Sequence, residues 1–197
     1  MRSKEPVDFC MDMESLGVRE NAPVLSWGAI KFVQNIGEKT NQELFDEAIS
    51  DGFHVKLDVK EQLRRGRKID KDTAEWWKKQ GDSARKVLSP SNADITTFEA
   101  VKKFHEYLLD NGFDKRSSIW AKGYVDFMWY FRICDAMGIE GLVQYWQYRC
   151  GRTALYLALH PKKWSQTVKP DNFVIHDAVH DSAFLMLQMI DPFGERS

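Results

Sequence analysis

The pattern of apolar and polar positions divides the chain into a strand-rich start and a helical middle and end. Pro6 to Asp12 reads as a strand that closes on an acidic residue, and Val24 to Val33 (VLSWGAIKFV) as a longer one. Phe53 to Asp58 alternates apolar with polar residues, the period of a third strand. Leu16-Gly17 and Asn21-Ala22-Pro23 supply turn chemistry, and Gly28 predicts a bulge or a close backbone approach. Asp72 to Lys79 then opens on acids and ends at Gly81, a helix followed by Ser83 to Leu88 and a break at Ser89-Pro90-Ser91-Asn92. Thr96 to Leu109 spaces Phe98, Val101, Phe104, Leu108 and Leu109 along one amphipathic helix, closed by Asn111-Gly112. Ser117 to Ala121 predicts a buried strand, Asp126 to Met137 a helix ending at Gly138, and Thr153 to Leu159 a helix that stops before Pro161. A last helix runs from about Ala178 to Ile190, until Pro192. This order predicts an α/β protein with a mixed β-sheet, antiparallel at its start and flanked by α-helices. Residues 1–197 read as one domain with its core at about 7–190, without repeats, low complexity or a linker.

Composition narrows the class. A chain of 197 residues buries one core without disulfides, and 43% hydrophobic with 29% charged residues describes a globular protein. Cys10, Cys134 and Cys150 are an odd number without CxxC spacing, which argues for a reducing compartment and against a disulfide framework or zinc site. No apolar run reaches the length of a membrane span, so a cytoplasmic location without membrane contact is expected. The formal net charge of −1 does not suggest a protein that coats duplexes. Between Lys60 and Lys86, however, ten Lys/Arg stand against five Asp/Glu, a local excess of five positive charges.

The chemistry sits in acids near both ends. Asp12 and Glu14 lie two apart on a strand and therefore share a face. Asp126 opens a helix after the Trp120-Ala121-Lys122-Gly123-Tyr124-Val125 stretch, and Asp181 opens the last helix, five positions after His176. Two divalent ions about 3.5–4 Å apart polarise a phosphodiester and stabilise its departing oxygen. Mg²⁺ and Mn²⁺ prefer carboxylate oxygens, so a protein using them must gather three or four such groups. A neutral imidazole at His176 then accepts the proton of the attacking water. Blander readings exist for each residue alone. Asp-x-Glu pairs arise by chance, Asp126 suits a helix N-cap, His176-Asp177 suits a capping loop, and Asp181 suits the positive end of a helix. Order, spacing and apolar surroundings together favour the metal site.

The set resembles the DEDDh exonuclease superfamily. Asp12-Met13-Glu14-Ser15-Leu16-Gly17 resembles its first motif, Gly123 to Asp126 the second, and His176-x-Ala-x-x-Asp181 the third. Thr73-Ala74-Glu75-Trp76-Trp77-Lys78, Asp82-Ser83-Ala84-Arg85 and His176 to Asp181 resemble the subgroup of phage exonuclease A and bacterial 3′-5′ exoribonucleases. The resemblance covers about Val7 to Leu187. It implies an RNase H-like fold and 3′→5′ hydrolysis of single-stranded nucleic acid to mononucleotides, with DNA favoured over RNA. It implies Asp12, Glu14, Asp126 and Asp181 as ligands of two Mg²⁺ or Mn²⁺ ions and His176 as general base. Two features depart from the pattern. Cys150 stands in Trp146-Gln147-Tyr148-Arg149-Cys150-Gly151-Arg152-Thr153 where relatives carry Asp, and the segment between Asp126 and Trp146 is short.

Several neighbours are candidates for substrate contact. Adjacent Trp76 and Trp77 point to different helix faces, so one is core and the other is free to stack on a nucleobase, worth about 1–3 kcal/mol per base. Packing of both on the sheet edge is the competing reading. The resemblance makes Leu16 a wedge against the terminal base and Gly17 a point of close approach. Lys122, Arg149 and Arg152 are favoured for phosphate contacts over the run Arg64, Arg65, Arg67 and Lys68, which also suits a solvated loop. His180 is expected to be structural, since zinc needs further N or S ligands. An exoribonuclease, a phosphodiesterase of short oligonucleotides and a non-catalytic binder remain as alternatives.

Overall fold

The computed structural model describes residues 5–160 and 165–196. The first strand, β1 (Asp8–Ser15), pairs antiparallel with β2 (Val24–Phe32). Helix α1 (Asn41–Ser50) leads to β3 (Phe53–Lys56), which extends the antiparallel half. Helices α2 (Val59–Arg64), α3 (Lys71–Lys78), α4 (Asp82–Arg85) and α5 (Thr97–Asp110) follow. Then β4 (Ile119–Ala121) pairs parallel with β1, helix α6 (Val125–Met137) crosses over, and β5 (Tyr148–Cys150) pairs parallel with β4. Helices α7 (Gly151–Leu159) and α8 (Ala178–Ile190) complete the chain. The sheet order is β3-β2-β1-β4-β5, the expected mixed sheet with an antiparallel start.

The pleat of β1 explains why this strand carries the site. Phe9, Met11 and Met13 pack with Ala100, Phe104, Tyr130 and Ile133 of α5 and α6. Cys10 faces the other way, into the cluster of Leu44, Phe45, Ala183 and Leu187 from α1 and α8. Residues two apart share a face, so Asp12 and Glu14 continue the Cys10 row toward α8. Beyond Glu14 the β1–β2 register shifts, and the chain turns.

Gly28 marks a close approach rather than a bulge. A Cβ built on it would lie 2.2 Å from the Ala178 carbonyl carbon and 2.3 Å from the Val179 nitrogen. The Ser182 hydroxyl donates to the Gly28 carbonyl at 3.2 Å and to the Ala178 carbonyl at 2.7 Å. The first turns of α8 therefore rest directly on the backbone of β2.

Several boundaries differ from the sequence reading. The first strand runs three residues past Asp12, to Ser15. Helix α1, absent from that reading, carries a capping box in which Thr40 accepts from the Glu43 amide and Glu43 reaches back to the Thr40 amide. Helix α2 was hidden in a polar segment; Asp58 caps it, and its Gln62 bonds both the amide and the carbonyl of Val24. Strand β5 is three residues long, too short to show a period. Pro161 lies outside the described residues. Among the described residues, no helix is long and apolar enough to cross a membrane.

Candidate metal and nuclease site

The acids of the two chain ends meet at the C-terminal end of β1. Asp126 does not cap α6, whose N-cap is Tyr124; it occupies the first turn, 7% exposed. Its Oδ1 accepts the Met13 amide at 3.0 Å, the peptide N–H between Asp12 and Glu14. That bond ties α6 to the first motif. At the last helix the roles divide. Asp177 caps α8 by accepting from the Val179 and His180 amides, at 3.2 and 3.3 Å. Asp181 is thereby spared that task, and its Oδ2 instead accepts the His176 amide at 2.8 Å. His176 Nδ1 lies 3.5 Å from Glu14 Oε1. One ligand atom from each of Glu14, His176 and Asp181 falls within a 4.8 Å span.

Burial and mutual repulsion disfavour the ionised forms of Asp12, Asp126 and Asp181. Burial, reinforced by the charges of Asp126, Glu14 and Asp181, pushes the Asp12 carboxyl well above the usual carboxylate range, and Lys122 offsets part of this. Burial raises Asp126 to about 7 despite the Met13 hydrogen bond. Burial and the Glu14 charge raise Asp181 to about 6. The Glu14 carboxylate, 3.5 Å from Nδ1, raises His176 above its ordinary value, although partial burial opposes it. These hard oxygen donors, crowded and short of positive charge, fit Mg²⁺ or Mn²⁺ by their chemistry.

A pH dependence of stability follows from these signs. The folded protein holds protons on Asp12, Asp126 and Asp181 that the unfolded chain has released, so stability falls as pH rises from about 4 through 7. His176, also raised, loses its stabilising charge in the same direction. The capping acids Glu43, Asp70 and Glu99 are lowered and already ionised in both states above about pH 5, so they do not reverse the trend, whereas His105 and His180, lowered by burial, oppose it up to about pH 6.5 and moderate the loss. Metal-free protein is expected to melt roughly 5–10 °C lower at pH 8 than at pH 5.5, from a loss on the order of 3 kcal/mol. Millimolar Mn²⁺ should restore the difference at pH 8 and change little at pH 5.5, as read by thermal denaturation.

The expected substrate-contact residues are only partly brought together. Lys122 is exposed, and its charge reaches Asp12, Asp181 and His176. Arg152, also exposed, acts on Asp126. Arg149 turns away, its Nη1 donating to the carbonyls of Trp146 and Tyr148 at 2.6 and 2.8 Å. Leu16, 8% exposed, packs with Leu25, Trp77 and Ala84, leaving little surface for a nucleotide. Gly17 lies against Ala22 and Asp70, with room for no more than a tight Cβ. Trp77 is the core member of its pair: it is 1% exposed and its Nε1 donates to the Ser15 carbonyl at 2.8 Å. A nucleobase has no access to it. Trp76 is 42% exposed and stands beside His176, a contact that no spacing in the sequence announces.

His180 is structural, as expected: its Nδ1 accepts the Val174 amide at 3.1 Å and its ring meets Phe45 edge-on. Arg65 pairs with Glu61, and Arg67 donates to the Ala22 carbonyl, so these two members of the basic run serve the fold. Cys150 occupies the N-cap of α7 without a capping bond of the usual oxygen type. Partial burial pushes its thiol up, but hydrogen bonds from Thr153 and the Arg152 amide outweigh this and leave it below its ordinary value. An Asp there would cap the helix. A cavity of about 960 Å³ opens at the other end of the sheet, lined among others by Val7, Lys31, Asp51 and Asn111, remote from this chemistry. A recess of about 250 Å³ borders His176, lined by Ser26, His54, Lys56 and Ser83.

Known proteins resemble this chain in sequence and in fold. The sequence model of the 3'-5' exoribonuclease Rv2179c-like domain matches residues 7–187. The exodeoxyribonuclease of Enterobacteria phage T4 is 32% identical over 201 residues, covering 92% of this chain and 87% of that protein. The fold is similar to that of cell-death related nuclease 4 (CRN-4), with a TM-score of 0.62 at 14% identity over 94% of this chain; the chain spans 64% of that nuclease. It is also similar to the nuclease domain of 3'hExo, a DEDDh family member bound to rAMP, with a TM-score of 0.55 at 12% identity, covering 99% and 96% of the two chains. The expected RNase H-like, single-domain α/β architecture is thus present. The chain belongs to the 3'-5' exoribonuclease Rv2179c-like family and is a hydrolytic 3′-5′ exonuclease.

Proposed function

We propose that the protein removes mononucleotides from the 3′ end of single-stranded DNA, using two Mg²⁺ or Mn²⁺ ions held by Asp12, Glu14, Asp126 and Asp181. The observation that carries this reading is the convergence of acids from β1, α6 and α8, with Asp126 bonded to the Met13 amide and Asp181 to the His176 amide. When bound, two ions held by these carboxylates would neutralise them and polarise the phosphoryl group. His176 takes the proton of the attacking water at an imidazole nitrogen. The Glu14 carboxylate beside it raises its basicity, which strengthens it as a proton acceptor. Lys122 and Arg152, exposed around the acids, attract and orient the phosphate backbone, and Gly17 keeps the turn after the first motif compact. Three unpaired thiols, Cys10, Cys134 and Cys150, suit a reducing cytoplasm.

DNA is favoured because the phage T4 relative, at 32% identity, is an exodeoxyribonuclease. RNA is the second reading, favoured by the exoribonuclease description of the matching family. Matched 5′-labelled DNA and RNA of about twenty nucleotides, each incubated with Mg²⁺ or Mn²⁺, decide between them. The expected result is a ladder that shortens from the 3′ end, faster on DNA. Faster shortening of RNA would transfer the assignment, and cleavage confined to di- or trinucleotides would make the protein a phosphodiesterase of short products.

A further inference from the structure

His176 is the one non-glycine residue with a positive φ, 61°, among the described residues. Non-glycine residues seldom adopt this backbone, although histidine tolerates it better than most, and such positions cluster at functional sites. Two polar contacts hold it, the amide on Asp181 and Nδ1 facing Glu14. Neither constrains the tilt of the ring, and the Glu14 contact is long at 3.5 Å. Two indoles supply that constraint. The Trp76 ring meets the imidazole edge-on, centroids 4.9 Å apart and planes at 76°; Trp77 does the same at 5.7 Å and 71°. The indoles also pack on each other at 5.2 Å.

Helix α3, which carries both, is fixed to the end of β1. The Asp70 amide donates to the Leu16 carbonyl at 2.8 Å, and Asp70 caps α3 by accepting the Thr73 amide at 2.8 Å. Trp77 Nε1 donates to the Ser15 carbonyl. The backbone that places Glu14 therefore also places Trp76. We propose that Trp76 is a positioning residue for the reaction: its indole, carried on α3, sets the orientation of the His176 imidazole relative to the acids of β1. The inference rests on His176 as proton acceptor. Base stacking on Trp76, the competing role, predicts a different kinetic signature.

The test is a double-mutant cycle of kcat and KM on a labelled single-stranded oligonucleotide, with Trp76→Ala, Trp76→Phe, His176→Ala and the Trp76→Ala/His176→Ala pair. A small misplacement of a reacting group costs up to about a hundredfold in rate. Trp76→Ala is expected to lower kcat roughly tenfold to a hundredfold with KM within about threefold, and Trp76→Phe to recover most of the loss. In the His176→Ala background, Trp76→Ala should cause no further loss. Equal losses in both backgrounds, or a rise in KM alone, would overturn the positioning role while leaving the function intact. A His176→Ala variant with full kcat would overturn the base assignment and this inference together.

Discussion

Asp12→Asn is expected to abolish activity while making the metal-free protein more stable. The substitution keeps the shape and removes one charge from a group of four carboxylates. Asp12 is the member most loaded by its neighbours, since burial and the charges of Asp126, Glu14 and Asp181 all act against its ionised form. In the metal-free protein at pH 8 the charge is a liability, and its removal should raise stability by about 1–2 kcal/mol, with a smaller gain at pH 5.5 and none near pH 4, where the unfolded carboxyl is itself protonated. In the proposed two-ion site the same charge would help hold the cations that polarise the phosphate. Losing it should cost at least about 4 kcal/mol of transition-state stabilisation, or about a thousandfold in kcat/KM. Denaturant titration at both pH values and single-strand hydrolysis read the two effects. A variant that is inactive because it is unfolded would instead give Asp12 a structural role.

The second large effect is expected at Gly28, the cross-strand partner of Asp12 on β2. The Cβ of Gly28→Ala would meet main-chain atoms of Ala178 and Val179, at 2.2 to 2.5 Å, and main chain has no alternative rotamer. Either β2 or the start of α8 must move by an ångström or more. Overpacking of this kind costs about 3 kcal/mol or more. The displaced element carries Asp181 and follows directly on His176, so the folded fraction should also lose about a hundredfold in rate. Urea midpoints, and activity normalised to folded protein, check both parts. A wild-type midpoint would show that the two backbones separate without cost.

Much of this arrangement is legible in the sequence because it rests on local signals. The apolar run of β2, the amphipathic α5, and the Gly138 and Pro192 stops of α6 and α8 declare themselves by period and punctuation. Asp12 and Glu14 share a face because strand period is two. Elements whose signal is short or polar do not declare themselves. Helix α2 buries Glu61 and Gln62, polar residues whose partners Thr97 and Val24 are distant in sequence. Spacing also cannot tell that Asp177 rather than Asp181 caps α8, or that Trp76 meets His176. Those facts depend on the packing of α3 and α8 against β1. The core position of Trp77 and the turned-away Arg149 belong to the same class, set by hydrogen bonds to Ser15 and to Trp146 and Tyr148.

The most direct measurement is calorimetric titration of Mn²⁺ into the wild-type protein, Asp12→Asn and Asp181→Asn at pH 8, with a nucleoside monophosphate present. A gathered set of Asp12, Glu14, Asp126 and Asp181 predicts two ions per wild-type chain and the loss of at least one in each variant. No binding by the wild type up to millimolar Mn²⁺, or wild-type stoichiometry and affinity in Asp12→Asn, would contradict a two-ion site built on these acids.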